Sequence, residues 1–304
     1  MSIFGREHKE DGIGVCLLTL TNEFEADRAI AALKSQGICA YKHEDGANQL
    51  MGIYMGAGDF HPVSIFVAEE AREKAAELLE EMGFTGDLTD SSNIRLITHA
   101  AVRMEVCGKV IYLDPYQIRE ASHDADLILI THEHYDHYSP EDIDKLATEE
   151  TRYVFPESME EMISVERADL RGKTRYLRPG QEMDWEGIGI AGILAYTIGR
   201  DFHPREKGWL GYLIDDGKKK VYIAGDTDAT AEAKSVVCDI ALIPCGGKYT
   251  CDPKQAAELA NAIAPDIVIP SHYGSVIGDA SCADRFESLV DPQIQVEKKM
   301  EYLD

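Results

Sequence analysis

Between residues 132 and 137 the chain reads His132-Glu133-His134-Tyr135-Asp136-His137, which gathers three imidazoles and the Asp136 carboxylate on one short stretch. The apolar residues 126–131, Asp-Leu-Ile-Leu-Ile-Thr, come directly before it and predict a buried strand. Ser139-Pro140 comes after it and predicts a helix N-cap with proline at the first helical position. The run is therefore expected on a tight loop at the carboxyl end of a strand, where open α/β sheets present their ligand sites. Imidazole nitrogen and carboxylate oxygen suit borderline divalent cations, zinc above all, and a solvated surface gives imidazoles no reason to collect at ligand spacing. A single catalytic ion needs three protein ligands and a water, so four candidates here, with more downstream, point to two ions.

Three later positions extend the set. His203 lies in the polar segment 199–204, Asp226 in Ala-Gly-Asp-Thr-Asp at 224–228, and His272 in Ile-Pro-Ser-His-Tyr-Gly at 269–274. Each stands where an apolar run stops. Asp228 reads as a helix cap, a common use of aspartate at such a place.

A chain of 304 residues with a 44% hydrophobic fraction can bury a large core, as one large or two ordinary domains. Its net charge of −25 argues against duplex nucleic acid and anionic membranes as partners, because both are bound by neutralising phosphates. No apolar run reaches the roughly twenty residues of a membrane span, and the charged first residues do not read as a signal peptide. Seven cysteines without a framework predict free thiols and a cytoplasmic setting. Cys245 and Cys251 read as buried thiols that pack as small hydrophobes.

Two domains are expected, 1–90 and 91–304, with a polar seam at 84–93. The first predicts a small ferredoxin-like α+β unit: a strand at 14–20 and a helix capped by Asn22 with Glu25 and faced by Ala26, Ala29, Ile30 and Leu33. Strands near 38–43, 50–55 and 63–67 follow, then a helix faced by Ala71, Ala75, Leu78, Leu79 and Met82. Gly52, Gly56 and Gly58 read as hairpin glycines. In the second domain residues 94–107 and 109–113 predict a hairpin turning at Gly108. Residues 209–214 and 220–224 predict another, turning at Asp215-Asp216-Gly217. Short buried strands are expected at 239–244 and 266–270, with a capping box at Asp252 and Gln255 between them. The match of residues 187–192 to G-x-G-x-x-G lies inside an alternating, strand-like run, so no helix follows to hold a pyrophosphate and no dinucleotide site is expected.

From about residue 94 onward the chain resembles the metallo-β-lactamase-fold hydrolases. The residues that carry this are Asp114-Pro115-Tyr116, the His-x-His-x-Asp-His run, His203, Gly225-Asp226-Thr227 and Ser271-His272-Tyr273-Gly274. Tyr196, His203-Pro204, Gly211-Tyr212 and Gly246-Gly247-x-Tyr249-Thr250 are similar to the ascorbate-6-phosphate lactonase-like branch. The resemblance implies an α/β fold, an αββα sandwich of two mixed sheets. It implies one cation on His132, His134 and His203, a second on Asp136, His137 and His272, and Asp226 between them. Asp114 would be the buried acid orienting the metal loop. The small first unit resembles prokaryotic domains proposed to act in signalling.

The expectation is a binuclear metal-dependent hydrolase carrying two divalent ions, zinc first, with manganese or iron as alternatives. A bridging hydroxide would attack a small anionic ester, either a lactone or a phosphodiester. Asp136 would orient the nucleophile or shuttle its proton, and Tyr196, Tyr249 or Lys248 would donate to the developing oxyanion. The competing expectation is a regulatory protein that binds metal and ligand with little turnover. A homo-oligomer is left open.

Overall fold

Short, continuous apolar runs build the parallel half of each large sheet, because strands covered on both faces have no side for polar residues. The computed structural model describes residues 15–20, 23–44, 63–68, 71, 74–75, 78–79, 82 and 91–303. The chain divides into two compact units, Met1–Ser92 and Asn93–Asp304.

In the first unit β1 (Val15–Leu20), α1 (Glu23–Ser35), β2 (Ala40–Glu44) and β3 (Val63–Val67) are described. The sheet order is β1-β3-β2 with β3 antiparallel to both neighbours, the arrangement of a split βαβ unit. Ala26, Ala29, Ile30 and Leu33 of α1 pack with Leu17 and Ile65, and Ala75 and Leu79 complete this core. Asn22, the strand expected at 50–55, Gly52, Gly56, Gly58 and residues 84–90 of the seam lie outside the described residues.

The second unit holds two mixed sheets. One runs β4 (Ile94–Thr98), β5 (Ala101–Val106), β6 (Lys109–Leu113), β7 (Leu127–Leu129), β8 (Arg152–Pro156) and β9 (Thr174–Leu177) in that order. Its pairs are antiparallel up to β6 and parallel beyond. The other runs β10 (Glu182–Trp185), β11 (Ile188–Leu194), β12 (Leu210–Asp215), β13 (Lys220–Ile223), β14 (Ile240–Pro244), β15 (Ile267–Ser271) and β16 (Gln295–Val296). It is antiparallel up to β13 and parallel after it.

Helices α2 (Pro140–Leu146) and α3 (Glu160–Glu166) cover the first sheet through Ile143, Leu146 and Ile163. Helices α4 (Ala231–Lys234), α5 (Pro253–Ile263) and α6 (Ser281–Glu287) cover the second through Ala233, Ala256, Leu259, Ala260 and Phe286. The result is an αββα sandwich. The caps expected at Ser139 and at Asp252 with Gln255 are both formed. Residues 188–194 are strand β11. Cys245 and Cys251 are buried free thiols. No helix among the described residues is long and apolar enough to cross a membrane.

Two expectations need correction. Residues 94–107 are two antiparallel strands, because the chain reverses at His99-Ala100, with His99 at φ 51°. Asp228 does not cap a helix: Thr230 caps α4, and the buried Asp228 carboxylate accepts the Ile198 N–H and binds the Arg200 guanidinium.

Gly211 sits where β12 crosses β13, and a Cβ built on it would lie 2.5 Å from the Ala224 carbonyl oxygen and 2.6 Å from that of Ile223. Because backbone rather than a flexible side chain is in the way, Gly211→Ala is expected to destabilise the fold by about 3 kcal/mol. Thermal melting followed by circular dichroism should show a fall of roughly 6–12 °C. An unchanged melting temperature would mean that β13 yields.

Candidate metal centre

All the candidate residues except His203 lie on loops that follow a strand. The 132–137 run follows β7, Asp226 follows β13 through Gly225, and His272 follows β15. Gly225 is at φ 64°, and a Cβ on it would stand 2.8 Å from the Leu210 carbonyl oxygen, so glycine lets the loop turn there. His203 comes from the longer connection between β11 and β12, which Arg200 fastens: its guanidinium donates to the Lys248 and Thr250 carbonyls and binds Asp228.

His132, His134 and His203 converge on one point. The Nε2 atoms of His132 and His203 lie 2.9 and 3.2 Å from Nδ1 of His134. A second group of donors, Asp136, His137, His272 and His99, lies beside it. Asp226 faces both. Its Oδ2 is 3.1 Å from His203 Nε2, and its Oδ1 is 3.3 Å from His137 Nε2 and 3.2 Å from His272 Nε2. The structure therefore brings together all seven residues singled out in the sequence and adds His99. Sequence reasoning missed His99 because no glycine, proline or asparagine marks the turn it occupies.

The far nitrogens of these rings are fixed. Thr131 Oγ1 donates to Asp114 Oδ2 at 2.6 Å, so at its contacts with His132 Nδ1, 2.9 Å away, and His137 Nδ1, 3.4 Å away, it must accept. That leaves His132 Nε2 bare and pointing at the cluster. Asp114 also accepts the Thr131 N–H at 2.7 Å and His137 Nδ1–H at 2.7 Å, and His203 Nδ1 donates to the Tyr249 carbonyl at 3.0 Å. Metal-binding histidines are typically oriented in this way.

Electrostatics favour ligand forms. Burial, then His137, holds the His132 imidazole well below its usual range and hence neutral. Burial, then His203, lowers His134 as well. Burial pushes the Asp226 carboxyl up, but His272 and His137 outweigh it and keep the group well below the carboxylate range. Burial likewise opposes ionisation of Asp136, but the hydrogen bond from His99 and the charge of His137 hold it at about 2. His137 differs: burial lowers it, but Asp226 and Asp114 raise it well above the histidine range, so positive charge is favoured at its Nε2.

The donor set fits divalent cations. His137 Nε2, His272 Nε2 and Asp226 Oδ1 are buried within 3.3 Å of one another in two pairs, yet none has a hydrogen-bond partner. These atoms converge on a shared space, as donors to one cation do. Tyr196, expected as an oxyanion donor, is committed elsewhere: its hydroxyl donates to Glu232 Oε2 at 3.0 Å.

Two adjoining His/Asp clusters at the carboxyl ends of strands in an αββα sandwich define a metal-dependent hydrolase of the metallo-β-lactamase fold. The chain belongs to the β-lactamase superfamily: residues 93–272, more than half of its length, match the model described as "Beta-lactamase superfamily domain". Residues 15–83 match the model of a proposed prokaryotic signal transducing protein.

Among relatives, the UPF0173 metal-dependent hydrolase of Thermoplasma acidophilum is 31% identical over 211 residues, 65% of this chain and 91% of that protein. A UPF0173 protein of Pyrococcus furiosus is 34% identical over 183 residues, 58% of this chain and 81% of that protein. Among solved structures, a proposed metal-dependent hydrolase from Parabacteroides distasonis superposes with a TM-score of 0.58 at 29% identity, covering 68% of this chain and 93% of that one. A metallo hydrolase from the archaeon Ignicoccus hospitalis does so with a TM-score of 0.54 at 26% identity, covering 68% and 95%.

Proposed function

We propose that this chain is a binuclear hydrolase of a small anionic ester, with lactones and phosphodiesters as the leading substrates and zinc as the first candidate metal. The observation that carries the binuclear reading is the position of Asp226, which turns one carboxylate oxygen to His203 and the other to His137 and His272. His132, His134 and His203 would hold one ion, Asp136, His137 and His272 the other, and Asp226 would hold both. Such ions supply an acidic water near neutrality and polarise the attacked oxygen.

The protein's own groups divide the remaining work. A carboxyl held at about 2 is a weak base, so Asp136 acts chiefly by orienting the attacking water through a hydrogen bond. Charge at the mouth selects the substrate. Lys207 is paired with Glu133, Arg205 with Glu232 and Arg200 with Asp228. The Lys248 ammonium lies 4.7 Å from the centre of the Tyr249 ring and has no carboxylate partner among the described residues. Lys248 is therefore the cation that meets a substrate's negative charge. The exposed Tyr135 and Phe202 beside the ligands, with Phe202 4.6 Å from Tyr249, offer an apolar rim for the rest of the molecule.

The family match of the N-terminal unit favours a second reading, in which the sandwich binds metal and ligand as a cytoplasmic sensor with little turnover. In either case domain 1–90 is taken as regulatory. The test is metal content per chain by elemental analysis together with hydrolysis of a lactone and phosphodiester panel. Two ions and turnover are expected. Two ions without turnover on the panel would favour the sensor, and fewer than one ion after repletion with zinc, manganese and iron would remove both readings.

A further inference from the structure

We infer that His99 is a positioning residue for the second cluster, fixing Asp136 through its ring and His272 through its backbone. The inference rests on the binuclear reading above. His99 is fully buried at the turn between β4 and β5, in the left-handed region at φ 51°. That conformation is uncommon for a residue with a Cβ and is kept where surroundings hold it.

Three contacts hold it, each to a residue of the cluster. The Nε2 of His99 lies 3.1 Å from Asp136 Oδ2 in hydrogen-bond geometry. The His99 carbonyl accepts the His272 N–H at 2.8 Å. The His99 ring lies against that of His272, with centres 3.9 Å apart. His99 Nδ1 is buried without a partner, so the ring proton resides on Nε2, where the Asp136 carboxylate accepts it.

Ring spacing separates positioning from ligation. Three imidazoles bound to one tetrahedral ion stand about 5 Å apart, centre to centre. His132, His134 and His203 do so, at 4.6, 5.2 and 4.9 Å. His99 and His272 are closer, with centres 3.9 Å apart and planes tilted by 45°, so His99 packs against His272 and does not share an ion with it. Its ring N–H points at a carboxylate, the use to which metalloproteins put groups that orient ligands.

The test uses the full chain, stripped of metal and titrated with cobalt(II) while the visible d–d absorbance is followed. His99→Gln keeps an N–H donor at similar reach, and His99→Phe keeps the ring against His272 but removes the donor. The wild type and His99→Gln are expected to take two equivalents with the same spectrum. In His99→Phe the second equivalent is expected to bind about 10–100-fold more weakly, with the first unchanged.

A second equivalent bound by His99→Phe as tightly as by the wild type would overturn the inference. So would equal weakening of both equivalents, which marks a general disturbance. An altered cobalt spectrum in His99→Gln would overturn it differently, by making His99 a ligand. A wild type that takes one equivalent only would remove the binuclear reading itself, which the wild-type titration reports independently of the variants.

Discussion

On the binuclear reading proposed above, Asp226→Ala is expected to lower bound metal from two ions per chain to one or none and to cut kcat/KM by about a thousandfold, equivalent to several kcal/mol of transition-state charge stabilisation. The loss should exceed that of any single histidine, because among the described residues only this carboxylate lies within 3.3 Å of nitrogens from both clusters. Removing it also leaves the His137, His203 and His272 nitrogens facing one another without the carboxylate between them. Asp226→Asn keeps the volume and removes the charge, and should fall almost as far. Elemental analysis and steady-state kinetics on the same preparations check this. Full metal content with activity within a fewfold of wild type would sink the bridging role.

Asp114→Ala should produce the largest loss of stability among the residues around the site. Asp114 is wholly buried and accepts three hydrogen bonds, at 2.7, 2.6 and 2.7 Å, from the Thr131 N–H, the Thr131 hydroxyl and His137 Nδ1. Truncation strands all three donors and frees the His137 ring. A cost of about 3–5 kcal/mol is expected, with a fall in melting temperature of roughly 6–20 °C. Metal affinity should drop by about 10–100-fold, because the tautomers of His132 and His137 are no longer imposed. Calorimetry of the metal-free and metal-loaded forms separates the two effects. A variant that melts like the wild type but binds metal poorly would show that Asp114 orients the ligands without supporting the fold.

Much of this site is legible in the residues themselves. The 132–137 run announces metal chemistry because imidazole and carboxylate are ligand types wherever they stand, and the apolar residues before it place it at a strand end. The same logic finds Asp226 and His272. His203 is legible as a ligand type, but its partners are not, since the connection from β11 to β12 has no regular period. Arg200, Asp228 and the Tyr249 carbonyl set that connection, and these contacts join segments distant in sequence. Reading Asp228 as a cap used a sound local preference that the ion pair of its buried carboxylate with the half-buried Arg200 overrode.

His99 marks the boundary most clearly. In the sequence it lies within an apolar run and reads as part of a strand; in the fold it is the turn between two strands and touches Asp136 and His272. By itself the sequence determined the kinds of atoms available, the apolar runs that become buried strands and the glycine that lets Asp226 follow β13. The tertiary structure alone decided that Asp226 faces two clusters, that His203 closes the first and that His99 stands behind the second. Ligand chemistry is a property of a side chain. Convergence within about 5 Å is a property of sheet register and of two sheets packed face to face, and no local pattern encodes it.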